Sequence, residues 1–505
     1  MNENKNKSWF PLIIIACASF VIALDSTFMN VAISSLVVDL NTEIGTIQTI
    51  ITFYTLITAS LMLVGAKLQD IIGQKKVFLI GAAIYGVGTL TAALSPNAPA
   101  LFIGWSLLEG IGGALMTPAT LSIVSRTYSG RDRTVGLAIV SAMAGIAAAI
   151  GPLFGGVVTT FLSWRFGFAV ELLVIIFIFI FANKIKESKP ISAKNTFDKL
   201  GAVLSVVGLI ILVTGILALK SEYIAYSPII IVLAIIILAV FYIYETKRKS
   251  KGNEPLLDVS IMKDRNLTVG SIIRLLASLA LAGALFAVSV FLQTVLKTDA
   301  MITGLTLVPL TLGLLAFSII SPRLTKYTSH KKIIGTGFIL SIIGMLLLRF
   351  QFTLDTELLT LLPGMFIFGA GLGLVIALGI DMALINIKKE NQAEASGFVS
   401  TSSNLGISMG TAIIGTILIV GAFGGLHNAI DQYYPDMISD EDFRNNAGEY
   451  LNKVGNVNES VKNNPNAENI VNIVVFDAMK LVMNVIMLIM IIGLGLTFTL
   501  REKHT

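Results

Sequence analysis

Fourteen long apolar stretches recur along the sequence and restrict what this chain can fold into. Each is close to the roughly 20 residues that a helix needs to cross a bilayer. Only 13% of the residues are charged, about half the share found in soluble globular proteins. The sequence therefore predicts an all-α polytopic membrane protein with 14 transmembrane helices, located in the cell (cytoplasmic) membrane. The stretches lie at roughly 9–33, 46–66, 77–94, 100–124, 134–160, 166–183, 200–219, 228–244, 267–292, 301–320, 333–350, 358–385, 395–424 and 471–499.

Lysine and arginine are unevenly distributed over the segments between these stretches. With the N-terminus in the cytoplasm, 27 of the 36 basic residues lie in cytoplasmic segments and eight lie in outer segments. The positive-inside rule therefore predicts that both termini are cytoplasmic. This topology accounts for the net charge of +5, so we expect no nucleic-acid partner. The first apolar run continues past Cys17, and we expect an uncleaved first span.

Two distant parts of the sequence resemble each other at an offset of 256 residues. "GAKLQDIIGQKK" (65–76) follows the second span, and "SPRLTKYTSHKK" (321–332) follows the tenth. Two parallel halves with a site between them are the architecture of an alternating-access transporter. We therefore predict a six-helix bundle at 1–190, two inserted linker helices at 191–262 and a second six-helix bundle at 263–505.

Several motifs occur in a recognisable order along the chain: "LDSTFMNVAI" (24–33), "GAKLQDIIGQKK", "LLEGIGGALMTPA" (107–119), "GPLFGG" (151–156) and "SWRFGF" (163–168). Together they resemble the signature motifs of the major facilitator superfamily. With fourteen spans, the chain is similar to the 14-helix branch of drug:proton antiporters, which export multiple drugs and quaternary ammonium compounds. The resemblance implies the major facilitator fold in a 6+2+6 arrangement of helices.

The motif at 65–76 has a physical interpretation of its own. Gly65 allows close helix approach, and Gly73 allows a tight turn between spans 2 and 3. Asp70 can pair with Arg131 and Arg133 on the next cytoplasmic loop. The resemblance implies a latch that stabilises the outward-open state. The alternative is a solvated turn whose lysines only set topology.

The "GPLFGG" motif places a proline and three glycines inside the fifth span. Gly151, Gly155 and Gly156 let neighbouring backbones approach, while Pro152 removes a backbone hydrogen bond and bends the helix. The resemblance implies the antiporter motif of exporters. Simple tight packing is the alternative, and the two are compatible.

Three carboxylates lie within predicted spans, which makes them the main candidates for function. Asp25 is in the outer half of span 1, Glu109 is midway through span 4, and Glu171 is in the outer part of span 6. A carboxyl group away from water and near other carboxyl groups holds its proton more tightly, so it can load and release a proton. An anion also attracts lipophilic cations. The alternative for Asp25 is a packing role with hydroxyl partners such as Ser26 and Thr27.

The chain departs from the family pattern at several positions. Ser106 stands where these antiporters often carry an arginine, and Glu109 stands where a glutamine is usual. Glu171 replaces an asparagine, and Ser34 replaces a proline. The absent arginine weakens any coupling scheme that depends on it. The added glutamates predict an acidic site and therefore cationic or neutral substrates.

Two charges in the second half are weaker candidates for a direct role. Arg274 lies about two turns inside span 9 and has a side chain long enough to snorkel to the cytoplasm. Asp381 lies near the inner end of span 12, where it can do the same or face the cytoplasmic vestibule.

A polar outer segment at 425–470 separates the last two spans. It contains eight acidic and three basic side chains. Its position resembles that of a long extracellular loop in some quaternary-ammonium exporters, where such a loop can cap the outer mouth. A passive solvated connector is the alternative.

These observations together predict proton-coupled efflux of lipophilic compounds, in particular cationic ones, by a protein that works as a monomer among membrane lipids. Alternatives are export of an endogenous metabolite, lipid or peptide by the same fold, and a non-transporting receptor or scaffold. An enzyme is not expected, because the sequence has no Gly-Lys pair and so no P-loop. We expect no cofactor, and no metal site because the three histidines (330, 427, 504) fall in loops or the tail.

Overall fold

The computed structural model describes residues 9–128, 130–187, 197–218, 224–387, 392–433 and 467–501. All regular secondary structure in these ranges is helical. A helix pairs its own backbone N–H and C=O groups, which is what an apolar segment must do in lipid, where no water is available. The prediction of an all-α protein is confirmed.

Eight helices occupy the first 180 residues. A stretch of π-helix, Phe102–Glu109, joins the fifth of them to the sixth. Their bounds are α1 Phe10–Phe28, α2 Ile33–Asp39, α3 Ile44–Ile72, α4 Gln74–Ala93, α5 Ala98–Leu101, α6 Gly110–Thr127, α7 Gly130–Phe161 and α8 Trp164–Ile180.

Eight more helices follow in the described part of the chain. A second π-helical stretch, Phe291–Val295, extends the third of them. Their bounds are α9 Lys199–Ala218, α10 Ser227–Ser250, α11 Arg265–Val290, α12 Ala300–Leu324, α13 His330–Leu348, α14 Leu358–Leu384, α15 Gln392–Tyr433 and α16 Ala467–Thr497.

Thirteen helical segments in the described ranges are long and apolar enough to cross a membrane. The remaining predicted span, 166–183, corresponds to α8, which has 17 residues. At about 1.5 Å per residue α8 is about 25 Å long, somewhat less than a bilayer core of about 30 Å. The predicted multi-pass architecture is confirmed, with α8 as its shortest span.

Two predicted segments differ from the structure at the outer side. The first span does not run unbroken to residue 33, because α1 ends at Phe28 and a 3₁₀ turn at Met29–Val31 redirects the chain into α2. The predicted outer segment 425–470 is helical at both described ends, since α15 continues to Tyr433 and α16 begins at Ala467. Residues 434–466, on which the predicted cap rests, lie outside the described residues.

The helices before and after α9 and α10 pack mainly among themselves. In the first group α1 packs on α7, α3 and α4 pack on α6, and α4 also packs on α8. In the second group α11 packs on α15, and α14 packs on both α12 and α13. The two groups meet where α7 contacts α12 and where α3 contacts α15. The domain boundaries at 190 and 262 stay predictions.

The two linker helices have different surroundings. In α10, 17% of the most apolar stretch is buried, compared with 83% in the segment Arg265–Val295. Helix α9 packs against α10, α3 and α15, with Leu209 and Val213 beside Leu56 and Ala412 in one apolar cluster. The linker pair therefore covers the junction of α3 with α15, while α10 faces lipid.

The two groups are joined at their outer ends by side chains that bond to backbone. Gln293 of α11's π-helical extension accepts from the Ser34 N–H at 2.8 Å and donates to the Asn30 carbonyl at 3.2 Å. The Thr160 hydroxyl of α7 accepts from the Met301 N–H at the start of α12 at 3.0 Å. These contacts close the outer end of the protein in this conformation.

Further bonds join α3 to α15 closer to the middle of the membrane. Gln48 donates to the Thr411 carbonyl at 2.7 Å, and Ser408 donates to the Thr52 carbonyl at 3.0 Å. The hydroxyls of Thr52 and Thr411 also lie 3.0 Å apart.

Candidate functional site

The structure brings together the three carboxylates that the sequence singles out. Asp25 comes from α1, Glu109 from the last residue of the π-helix, and Glu171 from α8. Each offers an oxygen within 4.8 Å of the other two, and all three side chains are 0% exposed. We call Asp25, Glu109 and Glu171 the acidic cluster. The sequence predicts an acidic site containing these residues, and their distances and hydrogen-bond partners come from the structure.

Two side chains from the same group of helices donate hydrogen bonds to Asp25 and Glu171. The Trp105 indole N–H donates to Asp25 Oδ2 at 2.9 Å, and the Tyr85 hydroxyl donates to Glu171 Oε2 at 3.0 Å. The hydroxyls of Tyr54 and Thr89 also lie near Asp25 and Glu109, respectively. By the stricter geometric criterion for a hydrogen bond, the other oxygens of the cluster, including both of Glu109, have no partner among the described residues. The cluster thus has more acceptor oxygens than donors.

The cluster also has no compensating positive charge among the described residues. None of the ion pairs found in the described ranges includes Asp25, Glu109 or Glu171. The arginine nearest in sequence, Arg165, is bound to Asp39 at 3.1 Å and to the Ser95 carbonyl at 3.0 Å. The negative charge of the acidic cluster is therefore not neutralised by a basic side chain there.

Electrostatic repulsion limits how many of the three groups can be ionised at once. Two unit charges 4.8 Å apart repel by about 3.5 kcal/mol at an effective dielectric constant of about 20. Three ionised carboxylates would contain three such pairs. The close spacing of the three carboxyl groups therefore disfavours their simultaneous ionisation in the closed site.

The π-helix at Phe102–Glu109 sets the positions of Glu109 and of Trp105, the partner of Asp25. Its wider turn includes Trp105, Ser106 and Glu109, and π-helical stretches are rare and frequent at functional sites. Ser106 donates to the Ile50 carbonyl of α3 at 2.7 Å. The position where related exporters often carry an arginine is therefore used here to join two helices.

Glycines allow α4 to approach the π-helix beside Glu109. A Cβ atom on Gly88 would lie 2.6 Å from the Gly104 carbonyl oxygen and 2.7 Å from the Glu109 nitrogen. Since real Cβ atoms do not come this close, any larger residue at 88 would push the two helices apart. The burial of Glu109 depends on this contact.

Aromatic rings surround Asp25. Trp105 stacks on Tyr54 with ring centroids 5.6 Å apart, and Phe168 lies 5.9 Å from Trp105 and 5.8 Å from Phe28. Aromatic faces attract cations most strongly when water is excluded. The environment of the cluster thus combines carboxylates with rings, a combination suited to cationic groups.

The alternative prediction for Asp25, a packing role with the hydroxyls of Ser26 and Thr27 as partners, is wrong about these partners. The Ser26 hydroxyl donates to the Ala23 carbonyl at 2.8 Å, and the Thr27 hydroxyl donates to the Leu24 carbonyl at 3.0 Å. Both hydroxyls therefore bond to the backbone of α1, whereas Asp25 bonds to Trp105 across the helix interface.

The "GPLFGG" motif packs against both groups of helices. A Cβ atom on Gly151 would meet the Thr27 side chain, and one on Gly155 would meet the Phe28 carbonyl. A Cβ atom on Gly156 would lie 2.6 Å from the Ala300 carbonyl oxygen. The Pro152 carbonyl faces Gly304 of α12. Close packing across the α7–α12 contact is therefore present. A role as an antiporter motif stays a prediction.

The motif at 65–76 forms the turn that the sequence predicts. A Cβ atom on Gly65 would lie 2.5 Å from the Ala114 carbonyl oxygen, so α3 and α6 touch there. Gly73 has φ of 101°, which an L-residue rarely adopts. The side chains of Asp70, Arg131 and Arg133 lie outside the described part of the structure.

The two weaker candidates lie away from the acidic cluster in the second group of helices. Arg274 does not snorkel as expected, because its guanidinium donates to the Ile376 carbonyl of α14 at 2.5 Å and its Nε is buried. Asp381 is exposed at the inner end of α14, which agrees with a position in the cytoplasmic vestibule. Neither contacts Asp25, Glu109 or Glu171 in the described bonds.

Trp105, Tyr85 and Gln293 were missed by sequence reasoning. Trp105 lies four residues before Glu109, a spacing that would place both on one face of a regular α-helix, which was a usable signal. No sequence signal pointed to Tyr85 or Gln293, because their hydrogen-bond partners lie on helices that are distant in sequence.

A helical membrane protein with two groups of spans, and an occluded acidic cluster inside one of them, has the features of a membrane transporter rather than an enzyme. The comparison with known families agrees. The Major Facilitator Superfamily model matches residues 15–219 and residues 187–411. The chain belongs to the Major Facilitator Superfamily.

Curated relatives of similar length carry transporter and resistance names. The chain is 25% identical over 419 residues to the puromycin resistance protein pur8 of Streptomyces alboniger, covering 81% of this chain and 82% of that protein. It is 28% identical over 408 residues to the multidrug transporter protein MdtP of Bacillus subtilis (strain 168), covering 79% and 73%. These relatives confirm the predicted resemblance to the drug-exporter branch of the family.

A solved structure shares the fold. A bacterial homologue of the human lysosomal transporter Spinster, crystallised in an inward-facing and unoccupied conformation, superposes with a TM-score of 0.62 at 12% identity. The match covers 98% of this chain and 97% of that chain. At this identity the likeness concerns the fold alone.

Proposed function

We propose that the protein is an antiporter that exports lipophilic compounds, in particular cationic ones, in exchange for protons. The observation that carries this proposal is the occluded acidic cluster, in which three carboxylates have no basic partner among the described residues. Relatives named as resistance proteins and multidrug transporters support export as the direction of transport. Protons and lipophilic substrates are its partners, and it works as a monomer in contact with membrane lipids.

The coupling follows from competition for the same oxygens. Protons on Asp25, Glu109 and Glu171 make the cluster stable in the closed, dry state. A bound cation stabilises the ionised carboxylates, so loading of the cation and loading of the protons exclude one another. Such exclusion is what an exchanger requires, because each ligand then crosses the membrane only in its own half of the cycle.

The remaining motif residues act on conformation in this proposal. Asp70 pairs with Arg131 and Arg133 when the cytoplasmic end closes, with Gly65 and Gly73 shaping the turn. Gly151, Pro152, Gly155 and Gly156 hold α7 close to α1 and α12, which limits leakage through the closed outer end. These roles are supported by the packing of the glycines and by the family resemblance.

Efflux measurements on reconstituted vesicles test the proposal. A fluorescent lipophilic cation is loaded, and its movement is followed with and without an imposed pH gradient. We expect Asp25→Asn to insert normally but to lose the gradient-dependent movement, because asparagine keeps an acceptor for Trp105 and cannot exchange a proton. Wild-type gradient dependence in this variant would reject the coupling role of Asp25.

Asp299→Asn is the matched control. Asp299 caps α12 by accepting from the Ile302 N–H at 2.7 Å, and asparagine caps helices about as well as aspartate. This control should keep wild-type transport, so that a loss in Asp25→Asn reflects the acidic cluster rather than the chemical change itself.

A further inference from the structure

Residues 251–264 connect α10 to α11 at the cytoplasmic side, and we call this segment the inner strap. Apart from a 3₁₀ turn at Ile261–Lys263, the inner strap is not helical. Connecting segments usually run over the surface of a protein. Here, however, the side chains of Leu256, Leu257 and Ile261 are all buried. The inner strap is therefore a packed part of the protein.

The buried side chains of the inner strap pack with residues from both groups of helices. Their apolar cluster includes Leu63 of α3 from the first group, and Ala383 of α14 and Val399 of α15 from the second group. The linker helices add Ala202 and Phe241 to the same cluster. The inner strap therefore lies at the inner end of the edge along which α3 meets α15.

Polar contacts attach the inner strap to the linker helix α10. The buried Glu245 side chain accepts from the Leu256 N–H at 3.0 Å. The Arg248 guanidinium donates to the Glu254 carbonyl at 2.9 Å and is itself paired with Asp198 at 3.0 Å. Two side chains of α10 thus fix the start of the inner strap, so we expect it to move with the linker pair.

An ion pair attaches the inner strap to the first group of helices. Lys67 Nζ of α3 lies 3.1 Å from Glu254 Oε2, and these side chains are only 15% and 37% exposed. At the other end of the inner strap, the Thr268 hydroxyl of α11 donates to the Met262 carbonyl at 2.6 Å. The inner strap therefore bridges the two groups at the end opposite to the closed outer end.

We propose that the inner strap is a wedge that holds the protein in its outer-closed conformation. In a transporter with two groups of helices, opening of the outer end requires the groups to rock so that their inner ends approach each other. The inner strap occupies the inner end of one edge, so it must move past α3 before the inner ends can approach there. That movement breaks the Lys67–Glu254 pair. The proposal does not depend on which ions or compounds are carried.

Spin-label distances test the contribution of the ion pair. Cysteines at the exposed positions Val38 and Leu359, with Cys17 replaced by serine, report the outer end. The background is Gln293→Leu, in which loss of outer hydrogen bonds raises the open population. We expect Glu254→Gln to lower the ratio of closed to open molecules by about two- to fivefold, as for a partly exposed ion pair.

Two further variants are the controls for Glu254→Gln. The exchange of both charges, Lys67→Glu with Glu254→Lys, should restore the ratio of the background. Glu187→Gln makes the same chemical change at an exposed cytoplasmic residue that takes part in none of the ion pairs among the described residues, and it should change nothing. A Glu254→Gln ratio that stays the same, or that moves towards the closed form, would overturn the wedge.

A reversible crosslink tests the movement of the inner strap past α3 on a single protein sample. Lys67→Cys and Glu254→Cys are joined by a short bifunctional thiosulfonate, while ketone-bearing amino acids at positions 38 and 359 carry the spin labels. We expect the crosslink to abolish the open population and reduction to restore it. Equal open populations before and after reduction would overturn the proposal. Both measurements follow conformation alone, so a failure of proton coupling would leave this inference intact.

Discussion

Gln293 provides the most quantitative prediction about conformation. Its side chain is 5% exposed and bridges the two groups of helices by bonding the Ser34 N–H at 2.8 Å and the Asn30 carbonyl at 3.2 Å. When the outer end opens, water replaces these partners. Leucine at this position removes both bonds from the closed state and takes nothing from the open state. A variant Gln293→Leu should therefore favour outward opening.

The size of the shift follows from the two bonds. Each buried hydrogen bond contributes about 1 kcal/mol net, so losing both costs the closed state about 2 kcal/mol. At about 1.4 kcal/mol per factor of ten, the ratio of closed to open molecules should fall about thirtyfold. Gln293→Glu keeps the acceptor for Ser34 and loses the donor to Asn30 when ionised, so its shift should be in the same direction.

Spin-label distances at the outer end measure this ratio. Val38 of α2 and Leu359 of α14 are both 76% exposed, and they lie on opposite groups of helices. Cysteines at these two positions, with Cys17 replaced by serine, carry the labels. Gln351→Leu is the matched control, because Gln351 lies in the turn between α13 and α14 and makes no described bond to the first group. An unchanged distance distribution in Gln293→Leu would refute the reasoning.

Two further predictions concern charged residues. Glu109→Gln should weaken export of cations more than export of neutral compounds in paired efflux assays, because only cations gain Coulomb attraction in a low-dielectric site; equal losses would indicate a packing or proton role instead. Asp70→Asn should shift the Val38–Leu359 label pair towards the outward-closed, inward-facing population, opposite to Gln293→Leu, because it removes one partner of the proposed cytoplasmic latch. No change in that population would count against the latch.

Helix content, span order and the role of small residues could be predicted from the sequence because they depend on local properties. A run of apolar residues specifies a membrane helix wherever it occurs. Gly65 and Gly73 were assigned to a close contact and a tight turn, and the structure has both. These features need no knowledge of which helices become neighbours.

The arrangement of the site could not be predicted in the same way. Asp25, Glu109 and Glu171 come from three different helices, and sequence alone does not fix how those helices are rotated. The π-helix at Phe102–Glu109 adds to the difficulty, since it breaks the 3.6-residue period on which facing positions are calculated. Arg274 shows the same limit, because its partner is a backbone carbonyl 102 positions away.

The inserted helix pair makes the two lateral edges of the protein unequal in their exposure to lipid. The two groups of helices meet along two lateral edges, one formed by α3 with α15 and the other by α7 with α12. Helix α9 lies against both α3 and α15, with α10 outside it, so lipid is kept away from the first edge. Along the second edge α7 packs directly on α12, and Gly156 and Gly304 lie at points of close backbone contact between them. Among the described residues, the inserted pair therefore shields one of the two edges from lipid, while the other is closed by close packing of its own two helices.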